Sequence, residues 1–96
     1  ARDILRFALH ADGSLGPREV FASLKTRGLD GLAFDPAGRL WCAALDGVHV
    51  FDATGRDLGT IKLPSKPTSI SFAGSPSQLV CVNTRDAAFV ATLTPR

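Results

Sequence analysis

No run of apolar residues in this sequence approaches the roughly 20 needed to cross a bilayer as a helix. A membrane-spanning helix is therefore excluded. The first residues show no basic, apolar and small-residue succession of the kind that marks a signal peptide. Methionine is absent, and Ile4-Leu5-Arg6-Phe7 reads as a strand already under way, so the chain is expected to be cut from a longer one. The eleven Lys and Arg residues are scattered and offset by nine Asp and Glu, for a net charge of +2. They form no basic stripe and are not interleaved with aromatics, which argues against nucleic-acid binding. Also missing are a Gly-x-Ser-x-Gly elbow and a glycine-rich loop leading into a helix, so serine-hydrolase and nucleotide-binding readings have no support. No stretch carries helical periodicity.

What the chain does contain is an internal repeat. Gly31-Leu32-Ala33-Phe34 leads through Asp35-Pro36-Ala37-Gly38 into Leu40-Trp41-Cys42-Ala43. Further on, Ser69-Ile70-Ser71-Phe72 leads through Ala73-Gly74-Ser75-Pro76-Ser77 into Leu79-Val80-Cys81-Val82. Phe34 and Phe72 are 38 positions apart and Cys42 and Cys81 are 39 apart, implying one extra residue in the second turn. A period near 40 built from short strands is the mark of blade-like units that must stack to bury their apolar faces.

Runs of four to eight residues alternate with Gly, Pro, Asp and Ser clusters, which predicts an all-β chain. Strands are expected at Ile4 to His10 and Arg18 to Ser23, the outer C and D strands of one blade spanning residues 1–28. Residues 29–64 form a complete four-stranded antiparallel blade. Its strand A is Gly31 to Phe34, short, apolar and expected to be buried on both faces. B (Leu40 to Ala44), C (Val48 to Phe51) and D (Leu58 to Leu63) follow, with Trp41 available to pack between blades. Residues 65–96 supply strands A (Thr68 to Phe72), B (Leu79 to Asn83) and C (Ala88 to Leu93) of the next. The fold class is thus about two blades of a β-propeller.

The two cysteines fall at equivalent places in the repeat. Neighbouring sheets pack roughly 10 Å apart, beyond the reach of a disulfide, so both are expected to be buried, reduced structural thiols. They give no sign of an oxidising compartment, and the lean is towards the cytoplasm.

Several of these segments together resemble the gluconolactonase, regucalcin and luciferin-regenerating-enzyme family. They are Leu29-Asp30-Gly31-Leu32-Ala33-Phe34-Asp35-Pro36-Ala37-Gly38-Arg39-Leu40-Trp41, Gly47-Val48-His49-Val50-Phe51-Asp52, Gly59-Thr60-Ile61-Lys62-Leu63-Pro64 and Pro67-Thr68-Ser69-Ile70-Ser71-Phe72-Ala73-Gly74. The resemblance implies a six-bladed propeller, of which this chain is about the C-terminal third, hydrolysing lactones with a divalent metal on its axis. It implies metal ligation by a Glu, an Asn and an Asp from different blades. Only the Asp maps here, onto Asp30. Leu29 stands where the family usually has Pro, which alters the backbone preference of the approach loop.

A metal-bound carboxylate suits lactone opening, because the ion polarises the carbonyl and activates water. Asp30 is accordingly expected to be a metal ligand and general base, with calcium, magnesium, manganese or zinc as the cofactor. From local residues alone, Asp-Gly is equally a common turn dipeptide, as at Asp12-Gly13 and Asp46-Gly47. Lys25, Arg27, Lys66, Asp46 and the Asn83-Thr84-Arg85-Asp86 segment are expected at the channel rim, where they could steer a sugar-acid substrate. Thr68 occupies the place of Asp30 in the next blade. His10 and His49 lack ligand-spaced partners and are expected on the surface. The function implied is part of a metal-dependent lactonase acting on small sugar lactones, its other blades supplied by the rest of the protein. The alternative is a non-catalytic module that closes a ring by association of about three copies.

Overall fold

In the computed structural model, which describes residues 3–73 and 79–92, every regular element is a strand. β1 (Asp3–Arg6) pairs with β2 (Glu19–Ser23) in a two-stranded sheet. A four-stranded sheet follows in the order β3 (Leu32–Phe34), β4 (Leu40–Ala44), β5 (Gly47–Phe51) and β6 (Asp57–Ile61). The third sheet holds β7 (Pro67–Ala73), β8 (Leu79–Thr84) and β9 (Ala88–Thr92). All pairings are antiparallel between sequence neighbours. This is the meander of successive propeller blades.

Local chemistry builds the hairpins. In Asp35-Pro36-Ala37-Gly38-Arg39 the Asp35 carboxylate accepts the amides of Ala37 and Arg39, both at 2.9 Å. The Gly38 amide closes the turn on the Asp35 carbonyl at 3.0 Å. Asp52-Ala53-Thr54-Gly55-Arg56 repeats this pattern: Asp52 accepts the Thr54 and Arg56 amides, and Gly55 donates to its carbonyl. Such Asp-initiated turns fix register at short range.

Packing between sheets follows from strand alternation. Every residue of β4 is buried. Leu40, Cys42 and Ala44, with Phe51 of β5 beside them, face the first sheet, where they meet Ile4, Ala22 and Leu24. Trp41 and Ala43 face the third, with Val48, Ile70, Val80 and Val82. Trp41 meets Phe72 edge-to-face, with ring centroids 5.2 Å apart at 83°. That geometry contributes about 0.5–1.5 kcal/mol beyond the area buried.

Four expectations are corrected. β1 ends at Arg6 instead of running to His10, and beyond it only an isolated Leu9–Leu15 bridge continues the pairing. β3 is not buried on both faces, since Leu32 and Phe34 are 51% and 62% exposed. The first sheet covers β4 and β5 but does not reach that inner strand. The cysteines are not equivalent either. Phe34 pairs with Leu40, and Phe72 with Val80, so Cys81 corresponds to Trp41 and Cys42 to Val82. Asp35 faces Arg39 across the first hairpin, four positions on, and Ala73 faces Leu79 across the second, six positions on, so the second connection is longer by two residues rather than one. A one-residue slip reverses the face: Cys42 is fully buried against the first sheet, whereas Cys81 is half-buried on the opposite side of its own. Both thiols are free, and burial pushes that of Cys42 up.

His49 is the fourth. It is 8% exposed, its Nε2 lies 2.7 Å from Asp46 Oδ1, and its Nδ1 lies 3.3 Å from Thr60 Oγ1. Cross-strand pairing with Cys42 and Thr60 turns it inward. The turn expected at Gly74–Ser77 and the strand end at Leu93 lie outside the described residues.

Candidate functional site

Asp30 lies in the loop that leads into β3. Its backbone is held from two directions. The Asp30 amide donates to the Ala43 carbonyl at 2.9 Å, and the Gly31 amide donates to the Thr68 carbonyl at 2.8 Å. The second bond ties the approach to β3 directly to β7 of the neighbouring sheet. A Cβ on Gly31 would stand 2.8 Å from the Thr68 carbonyl oxygen and 2.9 Å from Ser69 Cα. Glycine is thus required for close approach of two strands. Gly31 does not share the positive φ of Gly13 (90°) and Gly47 (140°), so the turn-dipeptide reading does not account for this Asp-Gly pair.

The side chain differs from those of the turn aspartates as well. Asp12, Asp35, Asp46, Asp52 and Asp57 each accept a hydrogen bond from a residue close in sequence. Among the described residues no such bond reaches the Asp30 carboxylate. It is half exposed, and its one ionic partner among the described residues is Lys66, with Nζ 3.6 Å from Oδ2. Both border a cavity of about 310 Å³ lined by Asp30, Ser65, Lys66, Thr68, Arg85 and Asp86.

Tertiary structure therefore gathers part of the expected rim. Lys66, Thr68, Arg85 and Asp86 join Asp30 there, although Thr68 already donates its hydroxyl to the Asn83 carbonyl at 3.2 Å. Thr84 is buried and serves the β8–β9 turn, accepting the amides of Asp86 and Ala87. Lys25 and Arg27 do not line the cavity. Asp46 is engaged instead with His49, whose hydrogen bond holds the Asp46 carboxyl below its usual range. Ser65 had no signal in the sequence; its place follows from the loop that carries Lys66.

As a hard-oxygen donor on an anchored backbone, Asp30 fits one position in the shell of a divalent cation. Among the described residues no group of three His, Cys, Asp or Glu that could hold a metal is present, so Asp30 supplies at most one donor.

Residues 1–85 match the family model for the SMP-30/gluconolactonase/LRE-like region. The pentonolactonase XacC of Haloferax volcanii is 38% identical over a match covering 88% of this chain and 31% of that protein. Regucalcin of Xenopus laevis is 31% identical, covering 75% and 26%. Among solved structures, a gluconolactonase from Xanthomonas campestris superposes with a TM-score of 0.86 at 32% identity, covering 96% of this chain and 30% of that one. The chain spans about a third or less of the length of these relatives. With stacked antiparallel sheets, a matching backbone and a family model that takes in most of its length, the chain belongs to the SMP-30/gluconolactonase/LRE-like family.

Proposed function

We propose that this chain is part of a lactonase that opens small sugar lactones with a divalent metal, and that Asp30 is the ligand this part contributes. The observation that carries the reading is a carboxylate with no turn to stabilise, held on a doubly anchored backbone beside a polar cavity. Family membership and two relatives named for lactonase activity support it. The metal, when bound, supplies Lewis acidity and lowers the pKa of water. Calcium, magnesium, manganese and zinc all accept a carboxylate oxygen. In this reading Asp30 is also the general base that accepts the proton of the water attacking the ester carbonyl. Thr68, Arg85 and Asp86 border the space in which the lactone hydroxyls would lie.

Asp30→Asn in the full-length protein preserves size and removes the charge. The ionic contact with Lys66 is exposed, so folding stability should change by less than about 1 kcal/mol. Lactone hydrolysis should fall at least about 100-fold, within the range contributed by acid–base groups. Wild-type turnover in this variant would exclude Asp30 from the chemistry.

A further inference from the structure

The partner of Asp30 raises a question that the lactonase reading does not answer. A cation reaching this carboxylate finds an ammonium already beside it. We propose that Lys66 is the resident counter-ion of Asp30 and sets the site's affinity for divalent cations, because an incoming ion must displace it. The inference rests on the reading of Asp30 as a metal ligand and deepens it.

Three features hold Lys66 in this role. Its Nζ lies 3.6 Å from Asp30 Oδ2, within ion-pair range. Its stem crosses Gly28: a Cβ there would stand 3.2 Å from Lys66 Cε, so a residue without a side chain leaves the path open. Its backbone is pinned by the next residue, Pro67, which is fully buried at the start of β7. The Asp30 backbone is fixed through Ala43, and that of its neighbour Gly31 through Thr68. Ammonium and carboxylate are thus presented to each other from separate, anchored segments. Arg85 and Asp86 border the same cavity, so a displaced Lys66 meets one further charge of each sign there.

The competition has a calculable size. An ion pair this exposed contributes little by itself, and a metal must also withstand residual repulsion from the displaced ammonium. Together these weaken divalent binding about three- to tenfold at low salt, and screening reduces the effect.

Calorimetric titration of the full-length protein with calcium, and in parallel with manganese, tests this. Lys66→Met keeps the stem over Gly28 and removes the charge, and it should bind about three- to tenfold tighter. Lys66→Gln should do the same, whereas Lys66→Arg should stay near wild type. The gain should shrink in 0.5 M salt (about a 4 Å screening length), which a purely structural effect would not do. Unchanged or weaker binding by both neutral variants overturns the role of Lys66. An Asp30→Asn protein that binds both ions like wild type overturns the metal-ligand reading itself. Loss of binding in Asp30→Asn with no gain in the Lys66 variants overturns only the competition.

Discussion

Asp35→Ala should be among the most damaging single substitutions in this part of the protein. The Asp35 side chain is wholly buried and accepts four hydrogen bonds. Two come from the Ala37 and Arg39 amides, one from Arg39 Nε at 2.6 Å and one from the Trp41 indole at 3.0 Å. Truncation orphans the buried indole N–H, at about 1–3 kcal/mol, and strips the turn of its two amide contacts, at about 1 kcal/mol or more each. The guanidinium of Arg39 is 46% exposed and can rehydrate, so its contact adds little. The sum is about 3–5 kcal/mol. Trp41 would also lose the anchor that aims it at Phe72.

The pH dependence has a definite sign. Burial opposes the Asp35 charge, but hydrogen bonds from Trp41 and Arg39 outweigh it and hold the carboxyl below its ordinary value. Its stabilising contribution is therefore complete above the unfolded pKa of about 3.9 and is lost as pH falls through the lower folded value. Urea unfolding of the full-length protein should show Asp35→Asn destabilised by about 2–3 kcal/mol at pH 7, because an amide NH₂ meets the indole donor. That gap should narrow below about pH 4. Exchange of the Trp41 indole proton, followed by NMR, should accelerate in both variants. A loss under about 0.5 kcal/mol for Asp35→Ala would refute the hydrogen-bond account.

Gly31→Ala should cost about 1–3 kcal/mol by forcing β3 from β7, seen as a lowered urea midpoint; an unchanged midpoint would mean the strands can part freely. His49→Phe keeps the ring volume but abandons Asp46 and Thr60, and should lose about 1–2 kcal/mol in thermal unfolding. The same variant should return the Asp46 carboxyl, now held low by His49, towards its ordinary value, measurable by NMR titration. The 96-residue chain expressed alone should associate or aggregate, since Leu5, Phe7, Leu32 and Phe34 leave an apolar face uncovered. A monodisperse monomer by light scattering would contradict this.

Strand positions were readable because their causes are local. β4 falls at Leu40–Ala44 as read, and β2, β5 and β8 differ only at their ends. Asp-x-x-Gly-Arg, present at both Asp35 and Asp52, carries the turn chemistry within five residues. It was also the available signal for the buried Asp35 carboxylate, which sequence reasoning left without a role. The family likeness was equally legible, from segments in the right order.

Residue order alone determined that this protein would be a meander of short antiparallel strands, because alternation and turn-forming residues act over a few positions. It could not determine which face each strand presents to which sheet. A β7–β8 connection longer by two residues, not one, turned Cys81 away from the place inferred for it, and cross-strand neighbours drew His49 inward. Nor could it bring Lys66 to Asp30, 36 positions apart in the chain. That meeting needed two sheets packed closely enough for Gly31 to hydrogen-bond Thr68, a distance set by side chains that fill the space between them.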